Sequence, residues 1–174
     1  GGPGRNTPAS HPAVAGGEPL LDGARGPNRR RKSSEKLRKG RLAAEGLSLV
    51  ARDVGGEVVA TVRLWHGEAG VDPLGQPGAA LLLGPLAVDS AREGQGIGAA
   101  LMRAAIAEAK QRGHGAILLV GDPEYYERFG FFADKARHLV MPGPFERRRF
   151  LGLELTEGWL DDAAGVIVAS GARA

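Results

Sequence analysis

AALLLGPLAV at 79–88, REGQGIGAALMRAAIAEAKQRG at 92–113, GAILLVGD at 115–122 and PEYYERFGFF at 123–132 run almost without a break, and their reading decides the fold. The first segment is apolar on both faces, as a strand in the middle of a sheet is. Gly84-Pro85 sits inside it. Proline cannot donate to a ladder, so this strand must bulge or part from a neighbour there, which opens a way in for a ligand. The second segment starts with glycines and continues as a helix. Ile97, Leu101, Ala104, Ala105 and Glu108 recur at three or four residues, and Gly113 ends it. Bare N–H groups at such a helix start, with the positive end of the dipole, hold anions. Glycines there let a phosphate approach with no Cβ in the way. ILLV at 117–120 is a second buried strand, and Asp122-Pro123 starts a short helix through Tyr125, Tyr126 and Phe129.

Upstream, LSLVARD at 47–53 alternates like a half-buried strand and GEVVATVRLW at 56–65 is rich in β-branched residues. Gly55-Gly56 between them predicts an antiparallel hairpin. Residues 66–78, HGEAGVDPLGQPG, read as turn chemistry throughout. Ser33 or Ser34 can cap a short helix through EKLRK, with Gly40 placed to end it. Residues 1–31 carry little periodicity beyond PLLDGA at 19–24 and read as a weakly structured segment before a single domain at 32–160. Downstream, strands are expected near 137–141 and 150–156; in the second, Leu151, Leu153 and Leu155 share one face. A tail at 161–174 follows, with VIV at 166–168 its one apolar feature. These elements predict an α/β or α+β layered domain, a mixed and mostly antiparallel twisted sheet flanked by helices.

The chain of 174 residues has no cysteine, which excludes disulfides, thiolate zinc sites and a thiol nucleophile. Four scattered histidines predict no metal site. No apolar run is long enough to cross a membrane, and the first residues lack an apolar signal-peptide stretch, so the cytoplasm is the expected location. The net charge of +3 divides unevenly, with +7 on residues 1–41 and −4 on 42–174. Its basic peak, Arg29, Arg30, Arg31 and Lys32, has no interleaved aromatics, so a solvated loop is the expectation and no nucleic-acid partner.

Two phosphate ligands compete for the glycines. Gly94-Gln95-Gly96-Ile97-Gly98-Ala99 fits G-x-G-x-x-A, the dinucleotide fingerprint, and Asp122 ends the next strand where a ribose-binding acid belongs. Three features weigh against it: DSARE at 89–93 separates strand from fingerprint, a single strand–helix–strand unit is present, and a strand broken by Gly84-Pro85 suits a splayed sheet. No G-x-S-x-G, H-E-x-x-H or G-x-x-x-x-G-K-[ST] occurs.

The whole block resembles the core of the GNAT-superfamily N-acetyltransferases. That family runs an apolar strand ending in L-x-V, then Q/R-x-x-G-x-G/A opening a helix, then a strand, then Y-x-x-x-G-F. Here these are Leu86-Ala87-Val88, Glu93 to Gly98, ILLV, and Tyr126 to Phe131, with MPGPFERRRFLGLEL at 141–155 similar to the closing strands of a bacterial subgroup. The resemblance spans roughly 33–160 and departs at Glu93, where the family has Gln or Arg. It implies a sheet splayed at its centre, acetyl-CoA as cosubstrate and acetyl transfer to a primary amine on a small molecule or a protein. The implied cofactor-binding residues are Leu86, Ala87, Val88, Arg92, Gly94, Gln95, Gly96, Ile97, Gly98 and Ala99. Tyr126 is the implied acid for the thiolate, while Tyr125 is expected to pack or line the acceptor site. His66, Glu68, Asp89, His114 and Asp122 are the candidate general bases. Direct attack in a ternary complex is the implied route, no membrane partner is expected, and a homodimer stays open. The competing reading is a CoA-binding module without turnover, motivated by Glu93 and by the lack of an obvious base.

Overall fold

The computed structural model describes residues 5–7 and 31–174. The segment PLLDGA, most of the expected N-terminal segment and the side chains of the basic run at 29–32 lie outside the described residues. In chain order the elements are β1 (Arg5–Thr7), α1 (Arg31–Arg38), β2 (Ser48–Arg52), β3 (Val58–Val71) and β4 (Pro77–Val88), then α2 (Ile97–Gln111), β5 (Ala116–Val120) and α3 (Pro123–Tyr126). The short strands β6 (Leu139–Val140), β7 (Phe150–Glu154), β8 (Gly165–Val166) and β9 (Val168–Ala169) complete the chain. The main sheet is ordered β1-β2-β3-β4-β5-β7, with β9 also on β3. Its pairs are antiparallel except β4 with β5, and β6 pairs β8 in a separate parallel ribbon. No helix among the described residues is long and apolar enough to cross a membrane.

Period-two alternation places one core on each face of this sheet. Leu81, Leu83, Ile117, Leu119 and Leu151 pack toward α2, where they meet Leu101, Met102 and Ala105. On the other face, Ala80, Leu82, Leu118, Phe150, Leu139 and Ile167 pack toward Leu37 of α1. Leu153 and Leu155 join the α2-side core beside Leu151, as their alternation predicts. On α2 itself, the fully buried stripe is Leu101, Met102, Ala105 and Ala109, while Glu108 turns outward to an ion pair with Arg112 at 2.8 Å.

Three features depart from the sequence reading. Residues 66–78 are not turn throughout: the β3–β4 hairpin continues to Val71 and Pro77. Its turn is confined to 72–76, where Asp72 Oδ1 accepts from Leu74 N and Gln76 N. Small residues in these strands carry no hydrophobic period, so the pairing is invisible locally; a Cβ at Gly78 would overlap Ala69 O. Arg5–Thr7, too short to show alternation, pairs with Val50–Arg52. The segment after β7 is also built into the body through β8 and β9.

Candidate active site

The site begins where β4 and β5 part. Their parallel ladder comprises Leu81↔Ile117 and Leu82↔Leu118. Between the pairs Leu64↔Leu83 and Val62↔Leu86, two steps of β3 face three of β4. Strand β4 therefore carries one extra residue at Gly84-Pro85, the bulge that an interior proline requires. Trp65, 7% exposed, fixes it by donating from Nε1 to the Gly84 carbonyl at 2.6 Å. The resulting cleft holds about 500 Å³, counting the part open to solvent. Its walls are Leu82 to Leu86 of β4, Leu119 and Val120 of β5, Tyr126, and Ser34 and Arg38 of α1.

Beyond Val88 the chain forms a single 3-10 turn, Ser90–Arg92, capped by Asp89, whose carboxylate accepts from Ala91 N at 3.1 Å. Gly94 and Gly96 follow with φ of 82° and 78°, a left-handed backbone that costs other residues about 1–2 kcal/mol. A Cβ at either position would meet nothing within 4 Å, so the glycines serve the turn and leave open space over it. Gly96 is the N-cap of α2 and supplies no side-chain cap. The amides of Ile97, Gly98 and Ala99 come before the first amide that donates within the helix, Ala100 N to Gly96 O, and point out of the helix end. Gly98 allows α2 to start against β4, since a Cβ there would stand 3.2 Å from Val88 Cγ2 and 3.8 Å from the Tyr125 hydroxyl.

The residues predicted to bind a cofactor thus gather at one end of the sheet. Leu86, Ala87 and Val88 lie just past the bulge, paired to Val62, Thr61 and Ala60. Ala87 is buried, whereas Leu86 and Val88 are half-buried beside the α2-side core. Gln95 is exposed on the loop, Ala99 half-buried on α2, and Ile97 anchors the helix start in the core. Arg92 is tied to Asp53 of the β2–β3 turn at 2.7 Å. That carboxyl is held below the usual carboxylate range, first by the Glu57 N–H and then by Arg92 and the Gly55 N–H. Glu93 is exposed.

Tyr126 lines the cleft opposite Leu86. Its ring fits over Gly121, where a Cβ would overlap it, and meets Tyr125 edge-on at 4.9 Å and Phe131 at 6.1 Å. Tyr125 is held from behind by Arg128, whose guanidinium lies 4.5 Å from its ring centre. None of the five candidate bases is among the residues lining the cleft. Asp89 and Asp122 are engaged as caps of the turns they start. His66 faces Leu81 and Glu68 faces Ala79, lower on the hairpin than the bulge. His114 stands before β5, its ring 5.6 Å from that of His66. Burial, then the charges of His66 and Arg112, push its imidazole below the usual histidine value.

Sequence reasoning missed Trp65, Asp53, Gly121, Ser34 and Arg38 as parts of the site. Ser34 and Arg38 stand four apart, so they share a helix face. That signal is readable, but nothing local says which wall the face meets.

A family model described as the acetyltransferase (GNAT) family matches residues 19–131. An uncharacterized N-acetyltransferase of Escherichia coli (strain K12), YhbS, is 30% identical over 121 residues, which is 70% of this chain and 70% of that protein. The crystal structure of Escherichia coli YhbS in complex with CoA superposes with a TM-score of 0.77 at 25% identity, covering 96% of this chain and 89% of that one. A GNAT family acetyltransferase from Brucella melitensis, in complex with acetyl-CoA, shares the fold at a TM-score of 0.68 and 24% identity over 95% of each chain.

Proposed function

Since this chain belongs to the acetyltransferase (GNAT) family, we propose that it moves an acetyl group from acetyl-CoA to a primary amine by direct attack in a ternary complex. One observation carries the reading. The cleft at the β4 bulge is walled by Leu86 and Tyr126, and the glycine-started N-terminus of α2 meets the same strand two residues on, at Val88. A diphosphate suits the amides of Ile97, Gly98 and Ala99. The pantetheine arm then lies along Leu86–Val88, where β4 has parted from β5, as an added strand would.

Acetyl-CoA supplies a thioester. The amine nitrogen attacks its carbonyl carbon, and a backbone N–H beside the bulge holds the oxyanion, a contribution of ~2.7–4 kcal/mol per donor. The carbon–sulfur bond then breaks, Tyr126 gives its proton to the thiolate, and the nitrogen loses its own proton to water. No carboxylate or imidazole is among the described residues lining the cleft, so this reading has the amine arrive neutral. An α-amine, with a pKa of about 7.7–8.0, meets that condition far more readily than a lysine amine near 10.4.

Titration calorimetry with acetyl-CoA, CoA and NAD, followed by thiol release across a panel of amines, tests this. Binding of acetyl-CoA with amine-dependent thiol release is expected, and binding of NAD alone would sink the reading. The missing cleft base also favours a second possibility, a CoA-binding module without turnover. Binding with no thiol release for any amine selects it.

A further inference from the structure

We propose that Arg103 of α2 holds the 3′-phosphate of CoA and gives the site a preference for CoA over its 3′-dephosphorylated form. This rests on the acetyl-CoA reading above and adds the residue that reads the far end of the cosubstrate. CoA carries a diphosphate, which suits the amides at the start of α2, and a separate phosphate on the ribose a few bonds away. That phosphate monoester is largely a dianion at neutral pH. Amides engaged by the diphosphate cannot also serve it, so it needs a cation beside the helix start.

Arg103 stands where such a cation belongs. It follows the N-cap, Gly96, by nearly two full turns, so the two share one face of the helix about 10 Å apart along its axis. Helix side chains lean back over the preceding turn, which carries the guanidinium toward the glycines. Phe129 fixes it there, with the guanidinium carbon 4.8 Å from the ring centre. Phe129 meets Tyr125 at 5.4 Å, and the Tyr125 hydroxyl reaches the first turn of α2 at Gly98. A wall of rings therefore runs from the helix start to Arg103. Other arginines at this end of the sheet are engaged: Arg92 by Asp53 at 2.7 Å and Arg148 by Glu124 at 2.9 Å, while Arg128 Nε donates to Tyr125 O at 2.8 Å. Around Arg103, the positions from which a neighbouring turn could supply an acid hold Ala99, Ala100, Ile106 and Ala107. Among the described residues its partner is the Phe129 ring. A ring attracts the charge without accepting a hydrogen bond in the plane of the fork, so the N–H groups of this exposed side chain can donate to phosphate oxygens.

Titration calorimetry of the full chain with CoA and with 3′-dephospho-CoA, at low and at high salt, tests this. The wild type is expected to bind CoA about three- to tenfold more tightly at low salt, the scale of one charge-assisted contact in solvent. Added salt should shrink that ratio. Arg103→Gln is expected to bring it near one by weakening CoA alone, and an unchanged affinity for the dephospho form shows that the variant is folded. Arg103→Lys should keep part of the ratio. Lys110→Gln, which removes an exposed charge at the other end of α2, should keep all of it. A wild-type ratio of one overturns the proposal. So does a ratio that survives Arg103→Gln, or an equal loss of both ligands in that variant. An equal fall in Lys110→Gln overturns it too, since net charge would then set the preference. Binding of neither ligand by the wild type instead overturns the acetyl-CoA reading beneath it.

Discussion

Glu93 is in extended backbone between the 3-10 turn and Gly94, with its side chain in solvent. A carboxylate near a bound diphosphate opposes it, and the adjacent Arg92 offsets this incompletely because Asp53 already engages it at 2.7 Å. Water and salt screen the opposition, which keeps it small. Glu93→Gln is therefore expected to tighten acetyl-CoA binding by about two- to fivefold at low salt, the scale of one charge at a helix start. Calorimetry repeated at high salt should show the gain shrink; a gain indifferent to salt would assign it to something other than charge. His114 offers a second residue-level test. Its imidazole is pushed below 6.5, first by burial and then by His66 and Arg112. The unfolded chain then takes up a proton at 6.5 that the folded chain refuses until lower pH. Stability must fall as the pH drops below that value and level off once the folded imidazole also protonates. Thermal unfolding followed from pH 8 to about 5 should show this decline, and His114→Gln should flatten it. An unchanged slope in the variant would assign the decline to other groups.

At the scale of elements, the bulged strand β4 depends on an interaction that its own sequence does not announce. Trp65 Nε1 donates to the Gly84 carbonyl from the neighbouring strand. Trp65→Phe keeps the ring in the core and deletes only the donor, leaving a half-buried carbonyl without its partner at a cost of about 0.5–1.5 kcal/mol. A lower unfolding midpoint together with a reduced kcat/KM for acetyl-CoA is the expected result. Lost stability with unchanged kinetics would show that the bulge holds its shape without the indole. The block from Ala79 to Phe132 was legible because its signals are local: an interior proline, left-handed glycines, a helical period and a capping aspartate. A bulge or a parting from a neighbour followed from Gly84-Pro85, and the splay at the centre of the sheet followed from the family resemblance. Other parts rest on pairing across distance. Gly67, Ala69 and Gly70 give β3 no apolar rhythm in its second half, and Arg5–Thr7 is a strand only because β2 lies beside it. The α1 wall of the cleft, with Ser34 and Arg38, is tertiary in the same sense.

On the scale of the whole molecule, the residues after β7 tie the two sides of the cleft together. Trp159 packs over Gly115, where a Cβ would overlap its ring, and donates to Ala79 O at 2.7 Å. Ile167, fully buried, fills the core beneath α1. Then β9 pairs with Gly67 and Glu68 of β3, and the last residues bond the loop that follows α1. Leu42 N donates to Ala172 O at 2.8 Å and Ala174 N to Gly40 O at 2.9 Å. These two kinds of contact separate in their consequences. Ile167→Ala removes core volume and is expected to cost about 2–5 kcal/mol in denaturant unfolding. Deleting residues 171–174 leaves that core intact and frees the loop behind Arg38, so global stability should change less than in Ile167→Ala. The kinetic effect should also be one-sided. KM for the amine is expected to rise severalfold while KM for acetyl-CoA, which the proposed function assigns to the start of α2, stays near its original value. Equal rises in both would mean that the C-terminal segment supports the sheet as a whole and does not position the α1 wall of the cleft.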